Sequence, residues 1–190
     1  GGFMPGLSSS ADRVAPHLRS SLVAEPLERV LRLQLSTEIG RGCVDGAWWP
    51  YGRDLAVEVL DLVKQFPPML GRLCRVVYSP SDWGLNRRRG IPAGEAIVSI
   101  GSSPRSDDAH MVMLRSVSPR LSRVVRLLVV PPEWEEPAAR YAMRAATNPS
   151  NTVSGSTILD ESLELLLADL SPFGDDRRVG SRMSAAGPLR

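Results

Sequence analysis

Between Leu73 and Val130 the chain offers four strand-like runs, and that succession limits its fold more than any other feature. The runs are Leu73–Tyr78, Glu95–Ile100, His110–Val117 and Arg123–Val130, separated by loops rich in Pro, Gly, Ser and Arg. Short links between the later runs favour antiparallel neighbours, because a parallel crossover takes a dozen residues or more. The last run ends in Leu127-Leu128-Val129-Val130 before Pro131-Pro132. Such an unbroken apolar stretch suits a central strand covered on both faces.

Around these runs the periodicity predicts a strand within Arg29–Leu35, where Leu31, Leu33 and Leu35 alternate with polar residues. It also predicts a helix over about 54–66. Leu55, Val59, Leu62, Val63 and Phe66 fall on one stripe, with Glu58, Asp61, Lys64 and Gln65 outside it. Asp54 is placed to cap that helix, and Pro67-Pro68 to end it. A second helix is expected over about 137–146. The reading is an α+β domain over 29–147, with a mostly antiparallel sheet of about five strands and two helices in the order β-α-β-β-β-β-α.

Residues 1–28, rich in Ser, Pro, Ala and Gly and without a period, read as a disordered tail. Residues 148–190 read as a flexible tail carrying one amphipathic helix at about 158–170. Leu159, Leu163, Leu166, Leu167 and Leu170 form its stripe. A helix of that length is marginal in isolation, so it is expected to dock on the body of the protein.

Composition excludes several function classes. No apolar run approaches the ~20 residues of a membrane span. Cys43 and Cys74 make neither a disulfide framework nor a zinc site. The first ten residues have no basic and apolar leader pattern, so a reduced, cytoplasmic protein is expected. Lys64 is the only lysine among 23 Lys and Arg residues, a bias that suits a GC-rich genome as well as anion recognition. A net charge of +2 does not by itself imply nucleic acid.

Motifs for cofactors fail. Gly40-x-Gly42-x-x-x-Gly46 misses the dinucleotide spacing by one position, and there is no phosphate-binding Gly-Lys-Ser/Thr or Gly-x-Ser-x-Gly. No cofactor and no metal are expected. His17 lies in the tail, and His110 stands beside Asp107 and Asp108 as a structural histidine opening a strand.

What remains is the stretch GCVDGAWWPYGRDL, Gly42–Leu55. Side chains alternate in an extended segment, so one of Trp48 and Trp49 is expected in the core and the other at the surface. With Asp45, Arg53 and Trp83 they make a candidate ligand or partner site. Arg87, Arg88 and Arg89, close to Trp83, are the candidate nucleic-acid contacts. In the segments Val44–Pro50 and Arg53–Leu55, in Val77-Tyr78 leading to Trp83, and in Leu127–Pro132, the chain resembles an actinobacterial family of uncharacterised domains carrying a Val-Asp-Gly-Ala-Trp-Trp-Pro motif. That resemblance covers roughly 29–147 and implies a bacterial cytoplasmic domain of unknown function, with no catalytic residue to carry over.

The leading expectation is a non-enzymatic, regulatory module that binds an unidentified protein or small molecule. One alternative is an enzyme using Asp45, Asp54 and Arg53 in a tryptophan-lined pocket. The other is nucleic-acid binding through the arginine loop.

Overall fold

The computed structural model describes residues 29–84, 88–103 and 109–170. The tail expected over 1–28, Arg87, Asp107, Asp108 and residues 171–190 lie outside the described residues. In chain order the elements are β1 (Leu33–Leu35), β2 (Gly46–Trp48), α1 (Leu55–Gln65), β3 (Arg72–Tyr78), β4 (Gly90–Ala93), β5 (Ala96–Ser102), β6 (Met111–Ser118), β7 (Leu121–Val129), α2 (Glu136–Ala146) and α3 (Gly155–Leu170).

Among the described residues the strands make one seven-stranded sheet in the order β1-β2-β7-β6-β3-β5-β4. This corrects the expectation of a mostly antiparallel five-stranded sheet with two helices. The sheet is mixed, because β2 runs parallel to β7 and β3 parallel to β5, and there are three helices. Two short strands account for the difference. β4 contains Gly90 and Pro92, a composition that reads as loop, yet it pairs with β5 in a hairpin from Gly90↔Ser99 to Ala93↔Ala96. That hairpin uses up the antiparallel return and leaves β5 parallel to β3. β2 is only three residues long, and pairs with β1 on one side and β7 on the other.

Gly46 shows why β2 begins where it does. Its φ is +154°, and a Cβ there would stand 2.1 Å from the Gln34 carbonyl oxygen, so only glycine lets β1 approach this closely.

The two faces of the sheet bury different cores. On one, Leu55, Val59 and Leu62 of α1 pack with Val76, Val98, Leu114 and Leu127. On the other, Ala139, Ala142 and Met143 of α2 and Ile158 and Leu159 of α3 pack with Ala47, Leu128 and Val130. The final residues of β7 are therefore covered on both sides, as their apolar run suggests. Leu121–Val124, its first four, are exposed.

Asp54 caps α1, its carboxylate accepting from the Ala56 and Val57 amides at 3.0 and 3.4 Å. Glu58 departs from the stripe: it is buried, and its Oε2 accepts the Tyr51 amide at 3.0 Å. α3 starts three residues before its expected position and lies against α2 through Ile158 and Leu159. Of its predicted leucine stripe Leu159 is buried, while Leu163 and Leu167 are exposed.

Trp48 is 1% exposed and stacks on Trp83, ring centroids 5.2 Å apart, whereas Trp49 is half-buried. Trp48→Ala is expected to cost about 3–5 kcal/mol of stability and Trp49→Ala much less. Urea unfolding of the two variants measures both, and equal losses would contradict the alternation.

Candidate functional site

Four strands, β2, β7, β3 and β5, point the same way, so their C-terminal ends meet at one edge of the sheet. In open sheets with parallel strands, ligand sites gather at such an edge, where loops supply side chains above a rigid frame. The segments following β2 and β3 bring Trp49–Asp54 and Ser79–Gly84 there, Pro131–Trp134 follow β7, and His110 leads into β6.

An ionic cluster forms at this edge. Asp82 is buried, and its Oδ1 lies 2.7 Å from His110 Nδ1. Arg53 donates from Nη1 to the Asp82 carbonyl at 2.9 Å and pairs through Nη2 with Glu133. The Arg53 carbonyl accepts the Gly84 amide at 2.9 Å, which ties the loops after β2 and β3 together. His110 has φ +57°, a left-handed conformation uncommon outside glycine. It keeps that conformation with its carbonyl bound by the Val129 amide at 2.8 Å and its ring held by Asp82.

The Asp82 hydrogen bond holds the His110 pKa above its ordinary value near 6.5. Burial opposes the rise, the charges of Asp82 and Asp160 add to it, and Arg53 works against it. For Glu133, partial burial favours the neutral acid. Its own backbone N–H and the Arg53 guanidinium outweigh that and lower its pKa. A histidine fixed by a buried carboxylate is the orienting half of a proton-transfer device. Among the described residues, however, no hydroxyl or thiol is hydrogen-bonded to His110, and no group of three His, Cys, Asp or Glu side chains is placed to hold a metal.

The residues singled out in the sequence separate in space. Asp45 is wholly buried and accepts from the Gly40 amide at 2.5 Å and the Arg126 amide at 2.8 Å, far from the capping role of Asp54. Trp48 and Trp83 belong to the α1 core. Trp49 packs with the α2 side. The Arg32 guanidinium lies 3.6 Å from the centre of its ring and 3.8 Å from that of Tyr51, so a side chain of the protein itself fills the space between these rings. Among the described residues of the set, Arg53 alone reaches the ionic cluster. Arg88 and Arg89 are exposed. Asp82, His110 and Glu133 were not grouped by the sequence, which offered Asp107 and Asp108 as neighbours of His110.

A cavity of about 350 Å³ opens between the sheet and the start of α3. Val77, Met111 and Met113 give it an apolar wall; Ser103, Thr152, Ser154 and Arg126 are among its polar members. Arg126 is anchored through Nε to Asp45 at 3.3 Å and through Nη2 to the Gly42 carbonyl at 2.7 Å. Its Nη1 has no protein partner among the described residues. Gly155 lets α3 sit this close, since a Cβ there would meet Leu128 and Met111 at 3.1 and 3.2 Å.

Because the folded-state pKa of His110 is raised, its contribution to stability is fully present below pH 6.5 and disappears as pH rises through the folded value. Thermal melts taken upward from pH 6.5 should show a falling Tm that flattens in His110→Gln. Parallel curves for the two proteins would exclude this linkage.

Residues 32–146 match the model of a family of unknown function, DUF5994. Comparison with curated proteins and with solved structures gave no match.

Proposed function

The chain belongs to that family of unknown function, so membership confers no activity, and from the geometry we propose a binding module for a small, largely apolar ligand bearing an acceptor group such as a carboxylate. The observation that carries this reading is the cavity of about 350 Å³ between the sheet face and the start of α3. Its size and its apolar wall with a few converging polar groups are those of small-molecule sites. Arg126 favours an acidic or carbonyl-bearing ligand, because Asp45 and Gly42 hold the guanidinium still while Nη1 remains to donate.

Binding is the reading preferred here because Arg126, Ser103 and Ser154 line the cavity, whereas the His110–Asp82 pair does not. A regulatory role fits the position of the cavity, whose wall joins the sheet to the first residues of α3. A ligand there touches both, so occupancy stabilises α3 on the sheet. A reduced, cytoplasmic setting belongs to the same proposal and rests on the free thiols of Cys43 and Cys74. An actinobacterial source is the companion inference, resting on the segment Val44–Pro50 and the arginine bias.

Native mass spectrometry of the protein purified from the cells that naturally make it tests the reading. A small-molecule adduct is expected, and Met113→Trp, which fills the cavity, should lose it while still melting cooperatively. An adduct unaffected by Met113→Trp places the ligand elsewhere, and no adduct on either protein counts against the proposal.

A further inference from the structure

Among the described residues, no helix covers one half of the sheet on the face that α2 and α3 cover elsewhere. The register lines up two rows across it. Ser99, Arg75, Arg115 and Val124 form the outer row; Gly101, Val77, Met113 and Arg126 form the row beside the cavity. Arg75 and Arg115 are direct cross-strand partners and both are exposed. Like charges placed so are mutually destabilising. Strands β3 to β7 contain no Asp or Glu to relieve them. Apolar groups stand around the pair, with Val124 at 51% and Ile97 at 69% exposure.

The second half of α3 is the converse surface. Leu163, Leu165 and Leu167 are 39, 47 and 65% exposed, and together with Leu166 they leave the helix apolar around most of its circumference. A helix apolar all round is normally buried. The exposed polar residues of α3 from Asp160 onward are all acidic: Asp160, Glu161, Glu164 and Asp169.

We propose that the open sheet face receives the acidic, leucine-rich end of α3 from a second copy of this chain. The partner is argued from complementarity present within one molecule: guanidinium groups beside apolar side chains on the sheet, carboxylates beside leucines on the helix. Each copy contributes one helix end and one face, so a two-fold pair makes the contact twice. No aromatic side chain stands in either row, which disfavours the base stacking that a single-stranded nucleic acid requires.

Light scattering coupled to gel filtration reads the outcome. The full chain should show a dimer mass at low salt that falls towards the monomer as salt is added. Arg75→Glu/Arg115→Glu and Glu161→Arg/Glu164→Arg should each be monomeric, while an equimolar mixture of the two recovers the dimer mass, since each then meets its opposite charge. Leu163→Asp/Leu167→Asp, at exposed positions, should be monomeric with an unchanged circular dichroism spectrum. A monomer at the highest soluble concentration in low salt overturns the proposal. So does a dimer indifferent to all three variants. Binding of a single-stranded oligonucleotide that is lost in Arg75→Glu/Arg115→Glu, without any dimer, would assign the face to nucleic acid instead.

Discussion

The Asp45 carboxylate, with no exposure to solvent, is the point on which the arrangement of the sheet turns. A buried carboxylate is tolerable only when its oxygens are filled. Here Oδ1 takes the Gly40 amide, and Oδ2 takes both the amide and Nε of Arg126. The Asp45 amide meanwhile donates to the Arg126 carbonyl at 2.6 Å. One residue thus extends the β2–β7 ladder before the strand itself begins at Gly46. A strand of three residues paired on both sides needs that extension, and its placement decides the rest. Trp48 then falls on the α1 side against Trp83, and Ala47 on the α2 side, where its small side chain admits Ala139 and Ala142.

The legible parts of the sequence are those in which several residues repeat one signal. The α1 stripe and the apolar end of β7 each rest on four or more apolar positions. β2 and β4 do not, since three or four residues containing Gly46, Gly90 or Pro92 carry too short a period to stand out. Missing β4 had a consequence larger than its length, because the hairpin it makes reverses the direction of β5 relative to β3. Glu58 escaped for another reason: the period records which face a residue occupies, and the Tyr51 amide it satisfies comes from outside the helix. Alternation at Trp48-Trp49 was readable because it is a local property of extended chain. The Asp82–His110 pair was not, because it depends on β3 and β6 being adjacent and antiparallel. Proximity along the chain pointed to Asp107 and Asp108 instead.

The edge where the parallel strands end also concentrates unmet polar groups. Among the described residues, the buried side-chain atoms without a hydrogen-bond partner are Trp49 Nε1, Asp82 Oδ2 and Trp83 Nε1. All three lie in the segments that follow β2 and β3. An orphaned buried donor or acceptor costs about 1–3 kcal/mol, so a fold tolerates few of them and each calls for a reason. The left-handed His110 adds local backbone strain at the same place. Strain and unmet polarity thus gather at the edge where Arg53, Asp82, His110 and Glu133 meet.

Coverage of the second face stops along a definite line. Met111 and Leu128, opposite each other on β6 and β7, lie beneath Gly155 at the start of α3. One row further along the strands, Val77, Met113 and Arg126 line the cavity. The next row is the exposed arginine pair. Charge separates these zones: Arg126 is balanced by Asp45, whereas Arg75 and Arg115 have no carboxylate partner among the described residues. The cavity therefore lies on the boundary between the finished half of the layer and the open half. A molecule seated in it rests on the same strands, β3 and β6, that carry the uncompensated charge. A ligand of the proposed kind and a second copy on the open face would have to accommodate each other across a single row of side chains.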